Sequence, residues 1–467
     1  MRPLLHPRAL SPRLGLSRLG TWLFTIWVSS LGAGCAFLSP PGERAPGDVG
    51  PAERLSATEG VLEAGAAWAD VTPREPAYMA GFKIDKRHDS VHDPITVRAL
   101  ALRRGKLTTV IVGCDLIGVH HYQVEEIRRR LAGLIAPEAL LVASTHNHAG
   151  PDTMGMWGIP PIWSGLEEPV VERVLAGVVR AVEEALLRLT PVVVRWAERE
   201  APAKGISRNR REPELIDRRL RVFAFDTPEG RPVATLVHFA CHPETLGSSN
   251  TVMSAGFPGV LCAKIEAARP GSVAVFLNGA LGGMVTVDRH ERTLAEMERI
   301  GGALAKLALE ALEGAQPLAP EPALVVSRRR VRVPVEPRIF HLGASFGVFG
   351  PRPFEDGYTE SEAWGLRLGS AVFVSAFGEV LPKLGFELVD RIEAQPALLI
   401  GLGNDELGYL IHESDWEDPR YDYEVSVSPG RLATSVLRDA FLALLEDLGA
   451  LRPPSNPSVR GQPSEGH

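Results

Sequence analysis

The chain has 467 residues, 45% of them hydrophobic, with 50 Lys and Arg against 57 Asp and Glu and a formal charge of −7. A chain of this length and composition buries a large core, and the acidic balance, with no long basic run in the body, excludes nucleic acid as a partner. Four cysteines without any Cys-x-x-Cys exclude a disulfide framework and a thiolate zinc site; Cys114, Cys241 and Cys262 sit among apolar neighbours and read as buried thiols.

Residues 1–34 carry Arg2, Arg8, Arg13 and Arg18 but no acid, and run into TWLFTIWVSSLGAGC, an apolar stretch closed by small residues at Cys35. That is the layout of an export signal. LGAGC resembles a bacterial lipoprotein cleavage box, with Gly32 where a larger aliphatic residue is usual. Residues 1–35 are therefore read as a signal peptide that leaves a lipidated Cys35. The alternative is an uncleaved signal anchor, since no charge occurs from Leu19 to Gly42. Both readings place the body outside the cytoplasm, attached to the membrane of the bacterial envelope in the periplasm or at the cell surface. Pro, Gly and charge over 36–61 predict a flexible tether, and 451–467 a disordered tail. The folded body is expected over 62–450.

Within the body, apolar runs alternate with amphipathic ones. TTVIVG (108–113) precedes VEEIRRRLAGL (124–134), and ALLVAST (139–145) precedes a long helical pattern over 170–189. PVVVRWAE (191–198), LRVFAFD (220–226) and VATLVHFACH (233–242) follow closely, the last two joined by a TPEGR turn, and predict antiparallel strands. VAVFLNG (273–279) leads to a helix over 294–314. SRRRVRV (327–333) alternates as an exposed strand would. LRLGSAVFVSAFGE (366–379) predicts two strands joined at Leu368-Gly369, followed by a helix, the strand ALLIGLGND (397–405) and a last helix near 431–447. No internal repeat is visible. The expected fold is a mixed α/β (α+β) single large domain.

Four of these runs break off at polar residues: ALLVAST at His146-Asn147-His148, VATLVHFAC at His242-Pro243-Glu244, SAVFVSAFG at Glu379, and ALLIGLG at Asn404-Asp405, with Tyr409 beyond. Ligands gather at the carboxyl ends of strands in α/β sheets. Two imidazoles and a carboxylate are donors that zinc accepts when cysteine is absent, so His146, His242 and Glu379 form a candidate ligand set. The competing reading of each residue alone is a side chain capping its own strand end. His120-His121 begin a helical segment and read as exposed or capping rather than as a second metal site.

In this order the chain resembles the catalytic domain of the neutral/alkaline, non-lysosomal ceramidases. The resemblance rests on Asp70-Val71-Thr72-Pro73, Met79-Ala80-Gly81-Phe82, Thr145-His146-Asn147-His148-Ala149-Gly150-Pro151, Asn209-Arg210, Phe239-Ala240-Cys241-His242, Gly378-Glu379 and Gly401-Leu402-Gly403-Asn404 through Tyr409. It implies one zinc ion per chain held by His146, His242, Glu379 and Tyr409. His148 would act beside the metal on the attacked carbonyl, Arg210 would donate to developing negative charge, and His92 and Asn278 would contact substrate. It also implies hydrolysis of an amide (N-acyl) bond in a lipid-like or small-molecule substrate. The pattern departs at Val285, where the family carries a serine within N-x-G-D-x-S-P, and at Gly256, where relatives tend to carry an aspartate. Without that serine the expected nucleophile is a zinc-activated water. The family's immunoglobulin-like C-terminal domain is not expected in this chain. Two other functions stay open: a catalytically degenerate, zinc-containing binding lipoprotein, and a metal-assisted esterase or lactonase.

Overall fold

The computed structural model describes residues 48–159, 163–318 and 323–452. The expected export signal, Cys35 and nearly all of the expected tail lie outside the described residues. Among the described residues, no helix is long and apolar enough to cross a membrane.

Two short strands, β1 (Asp48–Val49) and β2 (Glu53–Ala57), come first among the described residues, and three successive segments then fold alike. In the first, β3 (Leu62–Asp70), β4 (Thr96–Arg104) and β5 (Leu107–Cys114) make an antiparallel meander. Helix α1 (His121–Arg130) returns the chain to β6 (Leu140–Ser144), parallel to β5, and α2 (Glu168–Leu187) closes the unit. The second unit repeats this order with β7 (Val193–Glu200), β8 (Arg219–Asp226) and β9 (Pro232–Phe239), then α3 (Gly256–Ala268), the parallel strand β10 (Val273–Asn278) and α4 (Leu294–Glu313). The third uses β11 (Leu324–Pro334), β12 (Tyr358–Leu368), β13 (Ala371–Ser375), α6 (Pro382–Asp390), the parallel β14 (Ala397–Ile400) and α8 (Arg431–Asp447). Short helices α5 (Arg338–Ser345) and α7 (Asp422–Ser426) are inserted in it.

The repeat is one of topology, which is why no sequence period announces it. What the units share is the alternation of apolar runs and amphipathic helices, not the residues themselves. One face of each sheet turns to a common core: Leu100, Ile111 and Leu141 from the first meet Phe223, Leu236 and Val275 from the second and Trp364, Phe373 and Leu398 from the third. The other faces carry separate apolar layers, shared with α1 and α2 on the first sheet, α3 and α4 on the second, and α6 and α8 on the third. The parallel strand of each unit is covered on both faces and is apolar throughout or nearly so. Every residue of β6 (LLVAS), β10 (VAVFLN) and β14 (ALLI) is buried.

Three expectations need correction. The segment read as a tether is structured from residue 48: β1 pairs with Val331 and Arg332, and β2 pairs with Leu324–Arg328. Its polar composition hides the alternation of ERLSA, which lies as an edge strand with partly exposed side chains. SRRRVRV is not an exposed strand, because β11 is hydrogen-bonded on both sides, to β1 and β2 and to β12. Arg328 is buried there between Glu53 and the fully buried Glu362. Glu362 also receives both Nη atoms of Arg128 at 2.5 and 2.7 Å and Asn404 Nδ2 at 2.6 Å. Finally, His120 and His121 are buried rather than exposed. His120 does cap α1, its backbone N–H donating to Gln123 Oε1 at 2.9 Å. His121 lies 3.3 Å from Glu362, a carboxylate that Arg128 and Arg328 also pair with.

Candidate metal centre

The candidate residues emerge at the carboxyl ends of the third and fourth strands of the units. His146 follows β6, His242 follows β9, Asn278 ends β10, Glu379 follows β13, and Asn404 follows β14. Asn278 clamps two of these ends together. Fully buried, it donates through Nδ2 to Thr145 O and Cys241 O, both at 2.9 Å, and accepts through Oδ1 from Cys241 N at 3.0 Å and Gly279 N at 3.1 Å. Asn147 ties the first loop down in the same manner, donating to Asp115 O at 3.1 Å and Ser254 O at 2.7 Å.

His146 is held at φ 64°, in the left-handed region that non-glycine residues seldom occupy. Its Nδ1 donates to Ile117 O at 2.7 Å, and His242 Nδ1 donates to Val285 O at 2.8 Å. A carbonyl accepts only, so both rings carry their proton on Nδ1 and present Nε2. Both Nε2 atoms face the same carboxylate oxygen, Glu379 Oε2, at 3.4 Å for His146 and 2.9 Å for His242. Tyr409 stands opposite Glu379 on a short parallel strand pair. All four side chains are buried.

His148 completes the cluster. Its ring centroid lies 4.9 Å from that of His146 and 5.6 Å from that of His242, and neither of its nitrogens has a hydrogen-bond partner of normal geometry. Nitrogens of His146, His148 and His242 all lie within 4.8 Å of one another. Gly81 explains the tight turn at Met79-Ala80-Gly81-Phe82. Its φ is 98°, and a Cβ there would meet His148 Nδ1 at 2.5 Å, so only glycine admits the ring. Phe82 packs edge-on to that ring, with centroids 5.0 Å apart.

The electrostatics ask for a cation. Burial pushes the pKa of His146 down to about 3, against the pull of Glu379, and pushes His148 well below the usual imidazole value. Burial also opposes charge on His242, yet its bond to Glu379 and that carboxylate's charge hold it above the usual value. Burial would raise Glu379, but the charges of His146 and His242 and the bond from His242 hold it below the carboxylate range. Two imidazole lone pairs aimed at one carboxylate oxygen repel it unless a proton or a metal ion lies among them. Imidazoles fixed through Nδ1 by carbonyls, a carboxylate and a phenol match the donor set of a divalent transition metal.

The cluster opens on a cavity of about 110 Å³. His146, His148, Glu379 and Tyr409 line one side, and the remaining wall is largely apolar, with Met154, Trp157, Phe340, Phe349 and Phe354. Sequence reasoning missed the α5 region, since nothing in RIFHLGASFGVFGPRPF marks it as a pocket wall.

His242 stands behind the residues that line this cavity, and the remaining three expected site residues are not among its lining either. Arg210 is exposed. The turn after Asn209, whose Oδ1 accepts from Arg211 N and Glu212 N, sends Arg211 inward instead, to pair with the fully buried Glu424 at 2.9 Å. His92 lies on an exposed loop, 2.6 Å from Asp93 Oδ2. Asn278 has spent its amide on backbone groups and offers nothing to a substrate. Val285, at the position of the family serine, is a fully buried strand residue whose carbonyl orients His242. Conversely, Glu406 lines the cavity although no sequence signal distinguished it from its neighbours.

No family model matches the sequence, and no curated protein matches it. Solved structures do. The neutral ceramidase from Pseudomonas aeruginosa superposes with a TM-score of 0.69 at 17% identity, over 85% of this chain and 76% of that one. A ceramidase complexed with C2 gives the same TM-score and identity, over 85% of this chain and 77% of that one. A likeness at this level of identity is one of architecture, and it shows that this chain has the neutral ceramidase fold.

Proposed function

We propose that the protein is a zinc-dependent hydrolase of an amide (N-acyl) bond, with His146, His242, Glu379 and Tyr409 as metal ligands. The observation that carries this reading is the convergence of two carbonyl-anchored imidazoles, a buried carboxylate and a phenol at the end of an apolar cavity, on a fold shared with neutral ceramidases. When bound there, zinc would supply Lewis acidity, polarising a carbonyl and acidifying water.

The chain's own residues supply orientation and exclusion of water. Ile117 O and Val285 O fix the ring tautomers of His146 and His242, and Asn278 holds the loops that carry them. His148 is neutral because burial disfavours its charged form, so one ring nitrogen can accept a hydrogen bond from water while the other donates one. The apolar wall keeps bulk water from the reacting bond. With Val285 in the serine position and Arg210 at the surface, no protein nucleophile and no guanidinium clamp are assigned. The lipid anchor and envelope location read from residues 1–35 belong to the same proposal.

Elemental analysis of the protein purified without added metal or chelator tests the reading. It should give close to one zinc per chain, Glu379→Gln should lose it, and chelation should abolish hydrolysis of short N-acyl amides. Hydrolysis that survives both metal removal and Glu379→Gln refutes it.

A further inference from the structure

The mouth of the cavity is apolar outside as well as within. Trp163 and Phe346 are 62% and 60% exposed, and Ile159, Leu342 and Tyr423 are exposed with them. Tyr423 also belongs to the cavity lining, which places it at the opening. Ile159 and Trp163 face each other across a hairpin that follows the wall residue Trp157, each backbone N–H donating to the other's carbonyl at 2.8 Å. Ser164 Oγ fastens this hairpin to Val348 O at 2.7 Å, beside the wall residue Phe349. Phe346 caps α5 one turn beyond Leu342, so the two share a face. No Asp, Glu, Lys or Arg occurs over 153–166 or 339–351. Apolar and aromatic side chains clustered in water on two charge-free segments suit a bilayer interface, where Trp and Tyr settle at headgroup level.

Strand direction puts the start of the body at the same end. Asp48 pairs with Arg332 and Val49 with Val331, antiparallel, so the chain enters β1 from the end of β11 that runs on to Val335 and Phe340 of the cavity wall. Thirteen residue steps separate Cys35 from Asp48, at most about 45 Å of extended chain. An anchor at or before Cys35 therefore draws towards the membrane the end of the body that carries the cavity wall.

We propose that the cavity mouth is a bilayer-docking surface, with Trp163, Phe346 and Tyr423 seated among lipid headgroups and upper acyl chains. The inference rests on the reading of the chain as membrane-anchored with a lipid-like substrate, and it adds the route: the substrate passes from the bilayer into the cavity without crossing water. Because neither charge-free segment carries a basic residue, docking needs no anionic lipid. The aromatic rings lie in the interface and nothing spans the membrane, which is the seating of an interfacial surface.

The test binds the full chain to phosphatidylcholine vesicles and places a fluorescent thiol label at Trp163→Cys, at Phe346→Cys or, as reference, at Lys306→Cys on α4, where the side chain is 77% exposed. Cys114, Cys241 and Cys262 are buried, so the unaltered chain treated with the label gives the background. Vesicle lipid carrying a nitroxide close to its headgroup should quench the labels at 163 and 346 at least about threefold more than the label at 306. Aqueous iodide should show the opposite order. Equal quenching at the three positions, labels at 163 and 346 as open to iodide as the one at 306, or a chain that does not float with the vesicles overturns the proposal, and the first two outcomes give the mouth to water or to a protein partner. Because quenching needs neither metal nor turnover, failure of amide hydrolysis refutes the enzymatic reading separately and leaves this result standing.

Discussion

Replacing Asn278 by alanine separates a clamp from a substrate contact. The side chain makes three long-range hydrogen bonds, to Cys241 N, Cys241 O and Thr145 O. At about 1 kcal/mol net each, their loss costs about 3 kcal/mol. With an unfolding entropy of about 2.1 cal/mol/K per residue over 467 residues, that lowers Tm by about 3 °C. Because the bonded groups immediately precede His146 and His242 in sequence, metal affinity should fall with stability. Asn278→Asp should be worse than Asn278→Ala, since a carboxylate cannot donate to two carbonyls. The assay is thermal unfolding combined with metal titration against a competing chelator, then steady-state kinetics at saturating metal. An unchanged Tm and metal affinity together with a raised KM would refute the clamp and return Asn278 to the substrate role that its motif suggested.

Two further outcomes are expected. Glu362 is fully buried and, although burial works the other way, Arg128 and His121 hold its carboxyl below the usual 4.5. A depressed folded pKa means that its stabilisation is present above that value and lost as pH falls through the carboxylate range. Glu362→Gln should therefore cost about 3–5 kcal/mol at neutral pH. Its Tm gap to the unaltered protein should begin to narrow once the pH falls below the usual 4.5 and go on narrowing towards the strongly depressed folded value, and a gap independent of pH would exclude the ionic origin. Val285→Ser restores the residue type of the family loop at a site that is fully buried and does not line the cavity. It should lower stability by about 1 kcal/mol without raising turnover, and a gain in activity in a hydrolysis assay would show that the loop opens to the substrate.

The strands and long helices were legible because each unit writes its parallel strand as an unbroken apolar run and its closing helix with a clear amphipathic stripe. LLVAS, VAVFLN and ALLI are such runs, and 170–189 and 294–314 are such helices. Strand-end histidines and Glu379 were legible for a related reason: a polar residue that interrupts such a run marks the edge of the core. Side-chain direction was not legible. Nothing local tells Arg210 from Arg211, because the choice is made by Asn209 capping the turn and by a buried partner, Glu424, more than two hundred residues away. Asn278 likewise has the composition of a binding residue and the surroundings of a structural one. The threefold architecture is invisible to any search for repeated residues, since packing constrains only apolar character at equivalent places.

The pairing of β1 and β2 with β11 bears on how the chain must be made and cut. The edge of β11 that they cover lies more than 260 residues downstream, so the amino-terminal strands stay unpaired until most of the body has been synthesised and closed around them. A chain trimmed to residue 62, where the sequence suggests the body begins, would leave the backbone of Leu324–Arg328 as a bare sheet edge, ready to recruit a strand from a second molecule.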